Sequence, residues 1–118
     1  MKYLFPLLFL VMSPSLFAAK QWFKDLTVSS AAYFWDGYND VWAITWEESI
    51  TTGCASADSG KKAAWFSNGG PSIFPVGNAR LDPAHMALAT GMKVDLFLDP
   101  ANCNTFYGAS WSGIRVHK

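Results

Sequence analysis

Six features of this 118-residue chain carry residue types able to do chemistry: the run Asp36-Gly37-Tyr38-Asn39-Asp40, the pair Glu47-Glu48, His85, His117, the run Gly108 to Gly113, and the cysteines Cys54 and Cys103. Asp36 to Asp40 has the look of a calcium loop. Tyr38 holds the third ligand position, however, and no glutamate follows at the twelfth, so an Asp-Gly hairpin loop is the better account. Gly108-Ala109-Ser110-Trp111-Ser112-Gly113 approaches a nucleophile elbow but has Ser112 where the GxSxG pattern needs glycine, and a turn before the last strand is preferred. Neither histidine has an HxxxH or HExxH partner. His85 is expected on the first turn of a helix and His117 on the outward face of the last strand, both as surface residues with no metal to hold. Glu47 and Glu48 are adjacent on a strand and point to opposite faces, which defeats paired acid and base work and leaves a solvated strand end. No triad, metal set or phosphate loop survives, so a non-enzymatic protein without a cofactor is expected.

The aromatic residues are harder to set aside. Trp42 and Trp46 share a face with Ile44 and read as core. Tyr38 in the first hairpin loop, and Phe106, Tyr107 and Trp111 near the last loop, have no periodic partner. Beside Asp36, Asn39, Asp40, Asn102 and Asn104 they compose a surface suited to a sugar, with ring faces for stacking and amides and carboxylates for hydrogen bonds. The expected ligand-facing residues are Asp36, Tyr38, Asn39, Asn104, Tyr107 and Trp111. Sealing of barrel mouths by the same rings is an equal alternative.

These residues need elements to hold them. Lys2, the apolar run Tyr3 to Met12 and the small-residue exit at Ala18-Ala19 read as a signal peptide over residues 1–19, too short and too interrupted by Pro6 and Pro14 to anchor as a helix. The mature part, residues 20–118, is then a single secreted or periplasmic domain, with no stable membrane insertion. With Lys2 set aside, Lys and Arg number one fewer than Asp and Glu, which excludes the basic footprint of a nucleic-acid binder. In an oxidising compartment, Cys54 and Cys103 form an even pair and are expected as a disulfide, closing a loop of about 50 residues and contributing roughly 4 kcal/mol.

Alternation of Leu26, Val28, Ser30, Ala32 and Phe34 predicts a first strand ending at Asp36-Gly37. Val41 to Trp46 predicts a second strand covered on both faces, and Lys61 to Ser67 a third, stopped at Asn68-Gly69-Gly70-Pro71. Asp82 as cap, Pro83 at the first position and Gly91 as the left-handed stop predict one short helix. Lys93 to Asp99 follows as a strand with Val94, Leu96 and Leu98 inward and Lys93, Asp95 and Asp99 outward. Ile114 and Val116 mark the last strand. The order predicts an OB-fold: a five-stranded Greek-key barrel with its helix between strands three and four.

The run Pro83-Ala84-His85-Met86-Ala87-Leu88-Ala89-Thr90-Gly91-Met92-Lys93-Val94-Asp95-Leu96, followed by Cys103, together with the leader, size and cysteine pair, resembles small secreted OB-fold proteins that include the binding (B) subunits of bacterial AB5-type assemblies. The resemblance implies a non-enzymatic glycan-binding module and leaves a homo-oligomer open; it carries no site residue across. The competing function is a protein-interaction module, an inhibitor or immunity protein with an envelope or secreted partner.

Overall fold

Trp42, Ile44 and Trp46 alternate along one strand, and the molecule is built on the face they share. The computed structural model describes residues 20–54, 61–67, 69–104 and 106–118; the expected leader, the polar loop at 55–60 and Asn68 lie outside the described residues. The elements are β1 (Gln21–Leu26), β2 (Val28–Trp35), β3 (Asp40–Trp46), β4 (Lys62–Ser67), a 3-10 turn (Gly70–Ile73), α1 (Phe74–Thr90), β5 (Lys93–Asn104) and β6 (Gly108–His117). One mainly antiparallel sheet has the order β1-β5-β6-β4-β3-β2, with β4 and β6 parallel. The protein is therefore mainly β with one α-helix, as its strand-rich pattern predicts, but the expected closed five-stranded barrel is replaced by a six-stranded sheet.

The sixth strand comes from a break in the first. Its expected start, Leu26, is the end of β1, and Asp25 adopts a left-handed φ of 62°, rare for a residue with a side chain. Thr27 alone joins β1 to β2, although these are the two edges of the sheet. Glu48, expected to be a solvated strand end, holds that junction: its carboxylate accepts from Thr27 N and Thr27 Oγ1, each at 2.7 Å. A bulge between Val28 and Ser30 then shifts the alternation by one residue. Leu26 and Val28 are buried, whereas Ser30 and Ala32 are exposed and Ala31 packs on the core instead.

The core behaves as its pattern predicts on β3 and β5. Trp42, Ile44, Val94, Leu96 and Leu98 are fully buried, and each such side chain contributes roughly 1.5–3 kcal/mol. Asp95, expected outward, is buried as well. β5 also runs past Asp99-Pro100, with an irregular register between Asp99 and Cys103. β6 begins at Gly108, so the Gly- and Ser-rich run expected as a turn is strand.

The helix begins at Phe74 rather than at Asp82 or Pro83, and Pro83 and His85 lie inside it. Pro75 takes the early position that Pro83 was expected to fill. Gly77 and Asn78 are poor helix formers, yet tertiary packing overrides propensity. Gly77 lies on the Trp42 indole so closely that a Cβ there would overlap the ring, and Trp42 Nε1 donates to Asn78 Oδ1 at 3.3 Å. The buried stripe continues through Leu81, Ala84 and Ala87. The helix ends as expected at Gly91, in the left-handed conformation with φ 75° and its N–H on Ala87 O. Cys54 and Cys103 are bonded, with Cα atoms 5.6 Å apart.

Candidate functional site

Two short polar turns face one another at one end of the sheet, and each is built by a side chain folding onto its own backbone. In the β2–β3 hairpin, Asp36 Oδ1 accepts from Tyr38 N and Asn39 N, both at 2.8 Å, while Asp36 N donates to Asn39 O. Gly37, with φ 100°, supplies the conformation the turn needs. Before β6, Asn104 Oδ1 accepts from Phe106 N at 2.7 Å and Tyr107 N at 2.9 Å in the same manner. The backbone N–H bonds from Asn39 and Tyr38 hold the Asp36 carboxyl below the usual carboxylate range, so it is ionised at neutral pH.

Between the turns lies a pocket of about 280 Å³ lined by Asp36, Asn39, Phe66, Asn102, Cys103, Asn104 and Ser110. Three of the expected ligand-facing residues, Asp36, Asn39 and Asn104, thus meet in the lining of one pocket. Each of these turns leaves polar atoms over: Oδ2 of Asp36 and the amide hydrogens of Asn104 enter none of the turn bonds. A ledge of rings adjoins the pocket. Tyr107 packs against Phe66 (centroids 5.4 Å) and Phe34 (5.7 Å), and Phe106 stacks on Tyr107 at 5.2 Å and 18°. Phe106 is 66% exposed and Tyr38 82% exposed. Tyr38 stands on the same hairpin but not among the lining residues.

Trp111 does not belong to this surface. It is fully buried, its Nε1 donates to Trp42 O at 2.9 Å, and Arg80 Nη1 donates to its carbonyl at 3.2 Å. Reading Gly108 to Gly113 as a turn placed Trp111 in a loop; as strand, it takes an inward position. The same pairing supplies Ser110 to the pocket, and the neighbouring strand β4 supplies Phe66. Residue types alone pointed to neither.

A second polar cluster lies where β1, β5 and the end of β6 meet. Asp95 Oδ1 accepts from Asp25 N and contacts His117 Nε2, both at 2.9 Å, and Asp95 Oδ2 takes Arg115 Nε and Nη2 at 2.9 Å. His117 Nε2 is also 3.2 Å from Asp25 Oδ1. Burial pushes the Asp95 carboxyl up, but the bonds from Asp25 N, His117 and Arg115 outweigh it and hold the carboxyl below its ordinary value. The Lys118 carbonyl, then Asp95, raise His117. His117 is thus an ion-pair member rather than the free surface residue expected, whereas His85 is exposed. One ligand atom each from Asp25, Asp95 and His117 lie within 4.8 Å of one another, a spacing a divalent cation could bridge, but here those atoms bond to each other and Arg115 occupies the remaining Asp95 oxygen.

Among the described residues no helix is long and apolar enough to cross a membrane. No protein-family model, curated protein or solved structure matches the chain.

Proposed function

We propose that the protein is an exported, non-enzymatic binding module whose ligand is a glycan seated in the pocket between the Asp36 and Asn104 turns. The observation that carries this reading is the lining itself. Carboxylate, amide and hydroxyl groups converge on a concave space beside a ledge of aromatic rings, the combination that hydroxyl-bearing rings require. Export through a leader at 1–19 to the periplasm or beyond belongs to the same proposal, with the Cys54–Cys103 disulfide in its support.

The finer fold reading is that β1 and β2 are the two halves of one bent strand. Counted so, the order becomes that of an OB-fold, with β4 and β6 as its parallel pair and α1 in the connection from β4 to β5. The likeness to AB5-type B subunits rests on that count and on the α1–β5 run.

The test is binding of labelled protein, residues 20–118, to an immobilised glycan panel, beside the double variant Asn39→Ala/Asn102→Ala. These side chains line the pocket and make no hydrogen bond to another described residue, so the variant should keep its melting temperature and lose at least tenfold in affinity. Unchanged binding by the folded variant moves the site elsewhere. The second reading, an inhibitor or immunity module, is favoured by the exposed rings Trp35 (57%), Tyr38 and Phe106, which suit a protein partner equally. A wild-type protein that binds no glycan yet captures one envelope protein through these rings establishes that reading instead.

A further inference from the structure

We infer that the pocket selects a single uncharged sugar ring, the terminal unit of a neutral glycan, and that Asp36 excludes acidic sugars. The inference rests on the glycan-binding reading and narrows it. A volume of about 280 Å³ lies at the lower end of small-molecule sites and suits about one pyranose ring rather than an extended chain. The lining holds one carboxylate, three carboxamides, one hydroxyl and one aromatic ring, and no Lys, Arg or His is among the described lining residues.

The free atoms sort by what they can do. Asp36 Oδ1 is committed to Tyr38 N and Asn39 N, which leaves Oδ2 to accept. Asn104 Oδ1 is committed to Phe106 N and Tyr107 N, which leaves its NH₂ to donate. Asn39, Asn102 and Ser110 can do either. A sugar hydroxyl both donates and accepts, so it satisfies the two sides at once. A carboxylate or sulfate only accepts: it fits the Asn104 side and meets a second negative charge at Asp36. Like-charge juxtaposition in a concave site is a device for rejection, not merely a missing attraction. The turn bonds that keep Asp36 ionised also fix where that charge sits. Lys62 is the cation on the adjoining ledge, 5.7 Å from the Phe106 centroid, outside the lining.

The experiment measures dissociation constants at low salt for neutral hexose- and N-acetylhexosamine-terminated oligosaccharides and for their sialylated and sulfated counterparts. Wild type should bind the best neutral ligand at least tenfold more tightly than its acidic counterpart. Asp36→Asn retains an oxygen for the two turn N–H groups and drops the charge, so the neutral-to-acidic ratio should narrow at least threefold, and rising salt should narrow it in wild type alone. Preference for the acidic ligands overturns the inference and leaves glycan binding standing, with Lys62 then the group to examine. A ratio unmoved in a folded Asp36→Asn variant removes Asp36 as its cause. Absence of binding to every ligand in both classes overturns this inference and the glycan reading together.

Discussion

Asp95 and Asp36 are both carboxyls held below their ordinary pKa, and they sit in regions with opposite uses. Around Asp95 the side chain is 6% exposed, and both oxygens are taken by partners from the sheet, Asp25 N, His117 and Arg115. Around Asp36 the bonds come from two backbone N–H groups of its own turn and use one oxygen, and the residue lines a pocket. A low pKa therefore marks function only when lone pairs remain after the fold has taken its share. The Asp95 cluster fastens the β1 edge and the end of β6; in the proposed function, the Asp36 turn presents its charge to a ligand.

The largest expected effect tests where that division runs. Trp111 follows pocket-lining Ser110 directly but belongs wholly to the fold, so Trp111→Ala should cost about 3–5 kcal/mol and abolish a cooperative thermal transition, measured by circular dichroism. A folded variant with lost binding alone would return Trp111 to the site. Next, Asp95→Ala should cost about 2 kcal/mol, less than a fully buried ion pair because Arg115 is half exposed, while leaving glycan affinity unchanged. Denaturant titration and calorimetric binding on the same sample decide it.

A smaller effect comes from pH. His117 is raised above its ordinary 6.5, so its contribution is complete below about that value and is lost as pH rises through the raised one. Asp95 is lowered from 3.8, so its contribution is present above about that value and is lost as pH falls through the lowered one. The melting temperature should decline as pH rises from about 6.5 through the raised value, and His117→Ala should flatten that decline. An equal decline in both proteins would assign the effect to other groups. Smallest of all, Asp36→Asn should leave the melting temperature nearly unchanged, since an amide oxygen serves the same turn. A larger loss would show that Asp36 works for the fold as Asp95 does.

What could be read in advance divides along similar lines. Trp42, Ile44 and Trp46 and Val94, Leu96 and Leu98 were legible because burial on a strand leaves a period of two, and Gly91 because a left-handed stop favours glycine. Asp36, Asn39 and Asn104 were legible as site candidates because Asp and Asn build such turns by themselves. The start of α1 was not, since Gly77 is there to admit the Trp42 ring and resembles a breaker until that ring is in view. The bulge after Val28 and the strand through Ser110 and Trp111 were hidden likewise: a register shift and a pairing partner are set across the sheet, not along the chain. Phe66 and Ser110 enter the pocket only by that pairing.

The bond between Cys54 and Cys103, 49 positions apart, makes a covalent ring of the chain between them, enclosing β4, α1 and most of β5. Asn102 and Cys103 line the pocket from just inside that ring and at its closing bond, while Asn104 lies just beyond it. A protease that cuts once within the ring opens it without dividing the molecule: the two pocket walls stay on one covalent piece, which migrates whole until a reductant separates it into two. A single nick there thus leaves Asp36 and Asn104 tethered in one molecule, and only the addition of a reductant lets them part.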